Sequence, residues 1–310
     1  MMKRAVLIIS CSLYEHLGEG VISEREGRIY DMRPADLLLR AVEFYIVPLM
    51  PRSALRDEVY TVLHSRRWDE ASIYRGFRIR QKKGLIQVTY RGHPCQYRCS
   101  GYGELELPAL NGYMLRHAPG RGDVVVDGGA YHGTFTVLAA RMVGPEGKVI
   151  AFEPDGRNRE RLRENINLNG LDNVIVVPKG LWSSDRRMAF CEYGEDFSAL
   201  SYDDLQCNVN REHEANGEVD VVALDSELGR LGIDRLDFLK MDIEGSEIEA
   251  VKGARNILVN NNVKVAIASY HEVEGKKTCF VLEELLTGLG YRSETNFPMH
   301  ITTYANKPSQ

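Results

Sequence analysis

The sequence predicts an α/β fold: a parallel sheet covered by helices on both faces, preceded by a small N-terminal α+β extension. Three features of the chain predict it. Short runs rich in β-branched residues recur after residue 101, helical patterns lie between most of these runs, and a hairpin-like alternation precedes them. Continuous apolar strands that alternate with helices are typical of a parallel sheet that is buried on both faces.

The β-branched runs assign the strands of this sheet. They are DVVVDGG, KVIAFEP, VIVVPKG, DFLKMDIEG and VKVAIASYH, at residues 123–129, 148–154, 174–180, 237–245 and 263–271. The predicted helices between them cover residues 133–143, 156–168 and 246–258.

A polar stretch at residues 193–218 is long for a connection within a compact domain. Connections of this length are usually functional or disordered. Lids that exclude water from a substrate are often built from such segments. The candidates for covering a substrate here are Phe197, Ser198, Ser201 and Tyr202.

The extension is assigned to residues 1–100, and the sheet domain to residues 101–310. PADLLLRAVEFYIVPL, from Pro34 to Leu49, predicts a buried helix, because proline suits the first turn and apolar residues lie on most sides. FRIRQKKGLIQVTY, residues 77–90, alternates around Lys83-Gly84 and predicts a β-hairpin. A homo-oligomer formed through the N-terminal helices is possible.

Composition and charge exclude some classes of protein. Hydrophobic residues make up 44% and charged residues 27% of the chain, which is ordinary for a globular protein. No apolar run approaches the roughly 18 residues that span a bilayer. The six cysteines show no framework spacing, which predicts reduced thiols and a cytoplasmic location. The excess of Asp and Glu after residue 100 argues against a nucleic-acid partner.

VVVDGGAYHGTF, residues 124–135, ends the first strand and begins a helix. Its glycines lie where a strand must turn tightly while a ligand approaches the backbone, as in flavin, nicotinamide and S-adenosylmethionine (SAM) sites. Asp127 before them would repel a pyrophosphate at the helix N-terminus, and would suit a cofactor that carries an ammonium and a sulfonium group. The alternative is that Asp127 binds the amides of its own loop.

The second strand ends in AFEPDGRN, which places Glu153 at its tip. An acidic residue here, about 20 or more residues beyond the glycines, accepts hydrogen bonds from a ribose diol. The alternative is a solvent-facing glutamate at a strand end. Together with Asp127 and the glycines, Glu153 favours the ribose role.

Four segments together resemble the FkbM family of SAM-dependent methyltransferases: DGGAYHGTF, FEPDGRNRERLRENINLNGLDNV, VVALDSEL and LDFLKMDIEGSEIEAVKGA. The resemblance covers roughly residues 101–306. It implies a Rossmann-like class I methyltransferase fold, with a seven-stranded sheet whose last strand is antiparallel. YRSET (291–295) and HITTYAN (300–306) would form the closing hairpin. It also implies SAM as cofactor and O-methylation of a hydroxyl on a small molecule, glycan or lipid-linked product.

The resemblance also implies a set of SAM-binding residues. These are Asp127, Gly128, Gly129, Tyr131, Gly133, Glu153, Pro154, Asp242 and Glu104. Within the set, Asp127, Gly129 and Gly133 match the positions for the methionine part, and Glu153 matches the position for the ribose. Glu104, beside Tyr102, lies where relatives often have an acidic residue near the cofactor. The sequence departs from many relatives at Gly128 and Tyr131-His132, where they read V-G-A-N-I-G.

Three candidate catalytic residues lie at or beside strand ends, where ligands bind in an open α/β sheet. Asp242 and Glu244 could orient an acceptor hydroxyl, take its proton or hold a divalent cation, and His271 is the preferred base. A metal is possible but is not predicted. The structural alternative for Glu244 is that acidic residues at a helix start favour the helix dipole. Two other functions stay open: a SAM-binding or interaction module without turnover, and an NAD-linked oxidoreductase.

Overall fold

The computed structural model describes residues 77–82, 85–98, 107–192, 198–201, 217–273, 276–296 and 301–308. The predicted helix Pro34–Leu49 lies outside the described residues, as do Tyr102, Glu104, Phe197 and Tyr202. All described elements belong to one compact unit that begins at Phe77. The boundary predicted near residue 100 stays a prediction.

Three antiparallel strands begin this unit: β1 (Phe77–Lys82), β2 (Leu85–Tyr90) and β3 (His93–Arg98). The pairing of Lys82 with Leu85 confirms the predicted hairpin, and β3 adds a third strand to it. We call β1–β3 the meander.

The remaining elements follow in chain order. The first half comprises α1 (Leu107–Tyr113), β4 (Val124–Gly128), α2 (Thr134–Val143), β5 (Lys148–Phe152), α3 (Gly156–Leu168), β6 (Val174–Val177), β7 (Gly180–Trp182), β8 (Arg186–Glu192) and β9 (Ser198–Ser201). The second half comprises β10 (Gly217–Ala223), α4 (Leu224–Arg230), β11 (Phe238–Met241), α5 (Glu247–Gly253), α6 (Arg255–Asn260), β12 (Lys264–Ala268), β13 (Glu272–Val273), β14 (Lys276–Lys277), α7 (Thr278–Gly288), β15 (Arg292–Asn296) and β16 (Thr302–Asn306). The helix predicted at 246–258 is two helices that meet at Ala254.

The central sheet has seven strands in the order β15-β16-β12-β11-β4-β5-β6. Strand β16 is antiparallel to both of its neighbours, and the other pairs are parallel. This confirms the predicted α/β class and the closing antiparallel hairpin. The chain builds outward from β4 to β6 and then returns to β11 on the other side of β4. Strand order therefore reverses between β4 and β11, which is where ligands bind in such sheets.

Both faces of this sheet are buried, as the continuous apolar runs predicted. Val125 and Val126, neighbours on β4 whose side chains point to opposite faces, are each 0% exposed. Every residue of β11 is buried as well, including a charged one, Lys240. None of the described helices combines the length and the apolarity that a bilayer crossing requires.

A second sheet, in the order β7-β10-β8-β9, was not predicted. Its strands lie between β6 and β11 along the chain. Its β9 falls within the polar stretch 193–218 that was interpreted as a connection. Ser198 and Ser201 pair there with Glu192 and Ala189 of β8. The sheet has a small core of its own, formed by Trp182, Met188, Phe190 and Val221. Whether this segment covers a substrate stays a prediction.

Candidate active site

A cleft opens at the carboxyl ends of β4, β5 and β11, beside the point where strand order reverses. Its walls include the predicted residues Gly129, Tyr131, Glu153, Pro154, Asp242 and Glu244. The described residues Asp127, Gly128, Gly133 and His271 are not part of its walls. The structure thus separates the predicted residues that line this cleft from those that lie behind its walls.

The glycine loop between β4 and α2 is shaped by contacts within the protein. Gly129 has a φ of +72°, and a Cβ there would collide with the backbone oxygen of Asp242. Gly133 has a φ of +86°, and a Cβ there would collide with Leu162 of α3. Both positions require glycine, because L side chains rarely adopt such backbone angles and no space is left for a side chain. Direct contact of these glycines with a ligand stays a prediction.

Asp127 lies beneath this loop and is held by interior side chains. The hydroxyl of Thr136 donates a 2.5 Å hydrogen bond to Asp127 Oδ2, and Lys240 Nζ lies 2.9 Å from Oδ1. The same ammonium group donates to the backbone oxygens of Gly129 and Gly128, at 2.8 and 3.2 Å. Lys240 therefore links the buried carboxylate to the loop. Binding of a methionine ammonium by Asp127 stays a prediction.

Glu153 connects the glycine loop to the end of β5. Its Oε2 accepts a 2.7 Å hydrogen bond from the Tyr131 amide, and its Oε1 accepts a 2.9 Å bond from the Asp155 amide. Burial raises the pKa of Glu153 to about 7, because desolvation disfavours the charged carboxylate. Each carboxylate oxygen can accept a second hydrogen bond. The predicted ribose contact is therefore compatible with the bonds already made.

Asp242 is oriented by two tyrosines that sequence reasoning missed. Tyr113 from α1 donates a 2.6 Å hydrogen bond to Asp242 Oδ2, and Tyr270 after β12 donates to Oδ1 at 3.2 Å. All three residues line the cleft. Nothing in the sequence marks either tyrosine, since they lie 129 and 28 residues from Asp242 along the chain.

His271 lies behind the cleft wall, between two glutamates. Its Nε2 is 3.1 Å from Glu244 Oε2, and its Nδ1 is 3.4 Å from Glu247 Oε1. Burial by itself lowers the pKa of His271, but the charge of Glu247 and the hydrogen bond with Glu244 outweigh this effect and raise the pKa to about 11. A raised pKa favours the imidazolium form of the ring at neutral pH. The role of His271 as a base stays a prediction.

Glu244 is the carboxylate of this group that reaches the cleft. Its side chain is 26% exposed, and its backbone has a φ of +54°. Burial raises the pKa of Glu244, and the charge of Asp242 raises it further, against the opposing effect of the His271 hydrogen bond. Glu247 is fully buried, and its Oε1 accepts hydrogen bonds from the Ile243 and Gly245 amides. The turn that carries Glu244 is thus held from inside.

Asp242, Glu244 and His271 each offer an atom within 4.8 Å of the others, a spacing that could hold a metal ion. The His271 ring, however, already lies against Glu244 and Glu247. It therefore occupies a position between carboxylates that a cation would compete for. Metal binding at these residues stays open.

A model of the methyltransferase FkbM domain matches residues 127–293, which is more than half of the chain. The chain belongs to the FkbM methyltransferase family. This confirms the resemblance found in the sequence.

Two curated relatives of this FkbM family member are themselves methyltransferases. Methyltransferase 1 of Beauveria bassiana (strain ARSEF 2860) is 26% identical over an alignment of 143 residues, and the match covers 42% of this chain and 57% of the relative. Methyltransferase sdnD of Sordaria araneosa is 29% identical over an alignment of 155 residues, and the match covers 42% of this chain and 59% of the relative. The matches thus span less than two thirds of either relative.

The FkbM family member is also similar to the solved structure of Methyltransferase FkbM from Methylobacillus flagellatus KT. The two share 20% sequence identity with a TM-score of 0.45, over 87% of this chain and 60% of that one.

Proposed function

We propose that this FkbM family member is a SAM-dependent methyltransferase that methylates a hydroxyl oxygen of a small molecule, glycan or lipid-linked product. The observation that carries the proposal is the pair of carboxylates, Asp242 and Glu244, in the wall of a cleft at the switch point of a class I sheet. An acidic wall suits a cationic methyl donor and an acceptor that must lose a proton.

Two features of the cleft would hold SAM. Glu153 would accept hydrogen bonds from the ribose hydroxyls, because its oxygens keep acceptor capacity beyond the two amides they bind. The loop at Gly129 and Tyr131 lines the adjoining wall and would receive the methionine end. SAM, when bound, supplies a methyl group activated by its positively charged sulfur.

The residues of the chain position the acceptor and remove its proton. We assign the role of general base, which takes the proton of the acceptor hydroxyl, to Glu244. Its raised pKa makes it a stronger base than an ordinary glutamate. Asp242 orients the acceptor hydroxyl, since its carboxylate is itself fixed by Tyr113 and Tyr270. His271 holds Glu244 in place as an imidazolium. As the acceptor oxygen gains the methyl group that SAM would supply, with its bond to sulfur broken, Glu244 would take the proton of the hydroxyl.

The proposal predicts both binding and turnover. Calorimetric titration of the purified chain with SAM is expected to saturate, with a dissociation constant between about 1 µM and 1 mM, the usual range of KM values. NAD titrated under the same conditions is the control, and saturation by NAD instead would favour an oxidoreductase. Incubation with methyl-labelled SAM and cell extract is expected to label an extract component. Binding without labelling in any extract would favour a module without turnover.

The assignment of Glu244 predicts a pH dependence. A base must be ionised, so the rate of label transfer is expected to fall as pH falls through the Glu244 pKa, which lies above that of an ordinary glutamate. Glu244→Gln is expected to lower the rate by about 100-fold or more, the usual contribution of a general base. The variant should also lose this acid limb of the profile. The exposed Glu146→Gln provides a matched control.

An unchanged acid limb in Glu244→Gln would assign the proton to another group. The same assay in the presence of EDTA addresses the metal, since loss of activity on chelation would show that a cation shares the site. The cytoplasmic location, the homo-oligomer and the class of acceptor stay predictions.

A further inference from the structure

The meander packs against the sheet domain through β3, which contacts α2 and α3. It lies outside residues 127–293, which match the family model. Two asparagines of the segment NINLNGL hydrogen-bond to β3: Asn165, in α3, and Asn169, directly after α3. They lie one helical turn apart, are 0% and 6% exposed, and so face the same neighbour.

Asn169 binds the meander much as a neighbouring strand would. Its Oδ1 accepts a 2.9 Å hydrogen bond from the Gln96 amide, and its Nδ2 donates a 2.6 Å bond to the Gln96 backbone oxygen. Both backbone groups of one β3 residue are thus satisfied by one side chain. This contact fixes β3 on α3 and does not involve the glycine loop.

Asn165 joins the meander to the glycine loop. Its Oδ1 accepts a 2.7 Å hydrogen bond from the Arg98 amide at the end of β3. Its Nδ2 donates a 2.8 Å bond to the backbone oxygen of His132, between Tyr131 and Gly133. One buried side chain therefore connects the end of β3 with the loop that lines the cleft.

Tyr97 makes a second connection. Its side chain is 1% exposed, and its hydroxyl donates a 3.0 Å hydrogen bond to the backbone oxygen of Thr134, the first residue of α2. Thr134 itself lines the cleft. The backbone is thus held from the meander side both within the loop, at His132, and directly after it, at Thr134. From the opposite side, the Tyr131 amide is held by Glu153.

We propose that the meander helps to form the cofactor site by fixing the glycine loop. Tyr97 and Asn165 act as positioning residues for this loop, which receives the methionine end of the cofactor. The inference rests on the proposed function, because it assigns SAM to this cleft. The loop must hold one conformation before the ligand arrives, since a loop that orders only on binding weakens the affinity.

The test compares two pairs of matched variants by calorimetric titration with S-adenosylhomocysteine (SAH), a probe that needs no acceptor. Asn165→Ala removes the contact to the loop, and Tyr97→Phe removes the contact to Thr134 directly after it. Tyr90→Phe and Asn169→Ala are the controls, because they remove buried contacts of the same meander that do not reach the loop. Loss of either contact is expected to raise the dissociation constant for SAH about fivefold, which is the effect of losing a typical buried hydrogen bond.

Turnover gives a second readout that a purely structural role would not change. In Tyr97→Phe and Asn165→Ala, the KM for SAM is expected to rise, while the rate at saturating SAM stays near that of the wild type. All measurements are made well below the thermal midpoint of each variant, so that unfolded protein does not contribute. Should Asn165→Ala not fold, Tyr97→Phe carries the comparison alone.

The outcomes separate the two proposals. Failure of the wild-type chain to bind SAH would overturn the proposed function. Normal binding by the wild type, with the same dissociation constant in all four variants, would overturn the role of the meander alone. Equal weakening in the loop variants and the controls would also overturn it, because the effect would then follow the packing of the meander and not its contacts with the loop.

Discussion

Replacing Asp242 with asparagine is expected to lower the rate of methyl transfer into cell extract by about 100-fold, the usual cost of a misplaced reacting group. Asparagine has nearly the same shape, and its oxygen can still accept from one tyrosine. It cannot accept from both Tyr113 and Tyr270 through two carboxylate oxygens, as Asp242 does. The acceptor hydroxyl would therefore lose a charged partner whose orientation is fixed.

The measurement is the initial rate with methyl-labelled SAM, accompanied by SAH titration to show that the cofactor side is intact. Asp172→Asn, at an exposed position, is the matched control and should match the wild type. Tyr113→Phe should lower the rate by less than Asp242→Asn, because it leaves the charge in place and removes one of two orienting bonds. A wild-type rate in Asp242→Asn would remove Asp242 from the mechanism.

Replacing Lys240 with methionine is expected to lower the free energy of unfolding by about 3–5 kcal/mol, the usual cost of breaking a buried ion pair from one side. The side chains of Lys240 and Asp127 are 6% and 0% exposed, so the remaining carboxylate would be left without a counter-charge away from water. The backbone oxygens of Gly128 and Gly129 would lose a donor as well. Chemical denaturation measures the change.

Two further variants test the cause. Lys252→Met removes an ion pair with Glu249 whose side chains are 50% and 25% exposed, and should cost no more than about 1 kcal/mol. Adding Asp127→Asn to Lys240→Met removes the unpaired charge and should recover part of the loss. If the double variant is no more stable than Lys240→Met, the loss comes from packing and not from the charge of Asp127.

Much of the central sheet could be predicted because its signals are local. Each β-branched run, such as VVVDGG or KVIAFEP, indicates a buried strand whatever the rest of the chain does. Parallel strands bring their carboxyl ends to one edge, so Glu153 and Asp242 were expected near one another. The second sheet gave no such signal. Its strand Ser198–Ser201 is short and lies within a polar stretch, and only its pairing with β8 makes it a strand.

The ion pair of Lys240 and Asp127 could be predicted only in part from the sequence. A lysine within the apolar run FLKM needs a buried partner, and Asp127 is its register partner on the neighbouring strand β4. Once β4 and β11 are known to be adjacent, the pair follows. The sequence alone does not predict that these two residues pair, because strand order is a property of the tertiary structure.

By itself, the sequence determined the family, the class of fold and the strand ends that carry the acidic residues, since all of these depend on residue order over short distances. The tertiary structure decided which of those residues face the cleft and which are held behind it. It placed Asp127 in a buried ion pair and His271 between two glutamates, and it brought Tyr113, Tyr270 and the meander to the site. These contacts join residues far apart in the chain. Their geometry is set by the packing of whole elements, which no local pattern records.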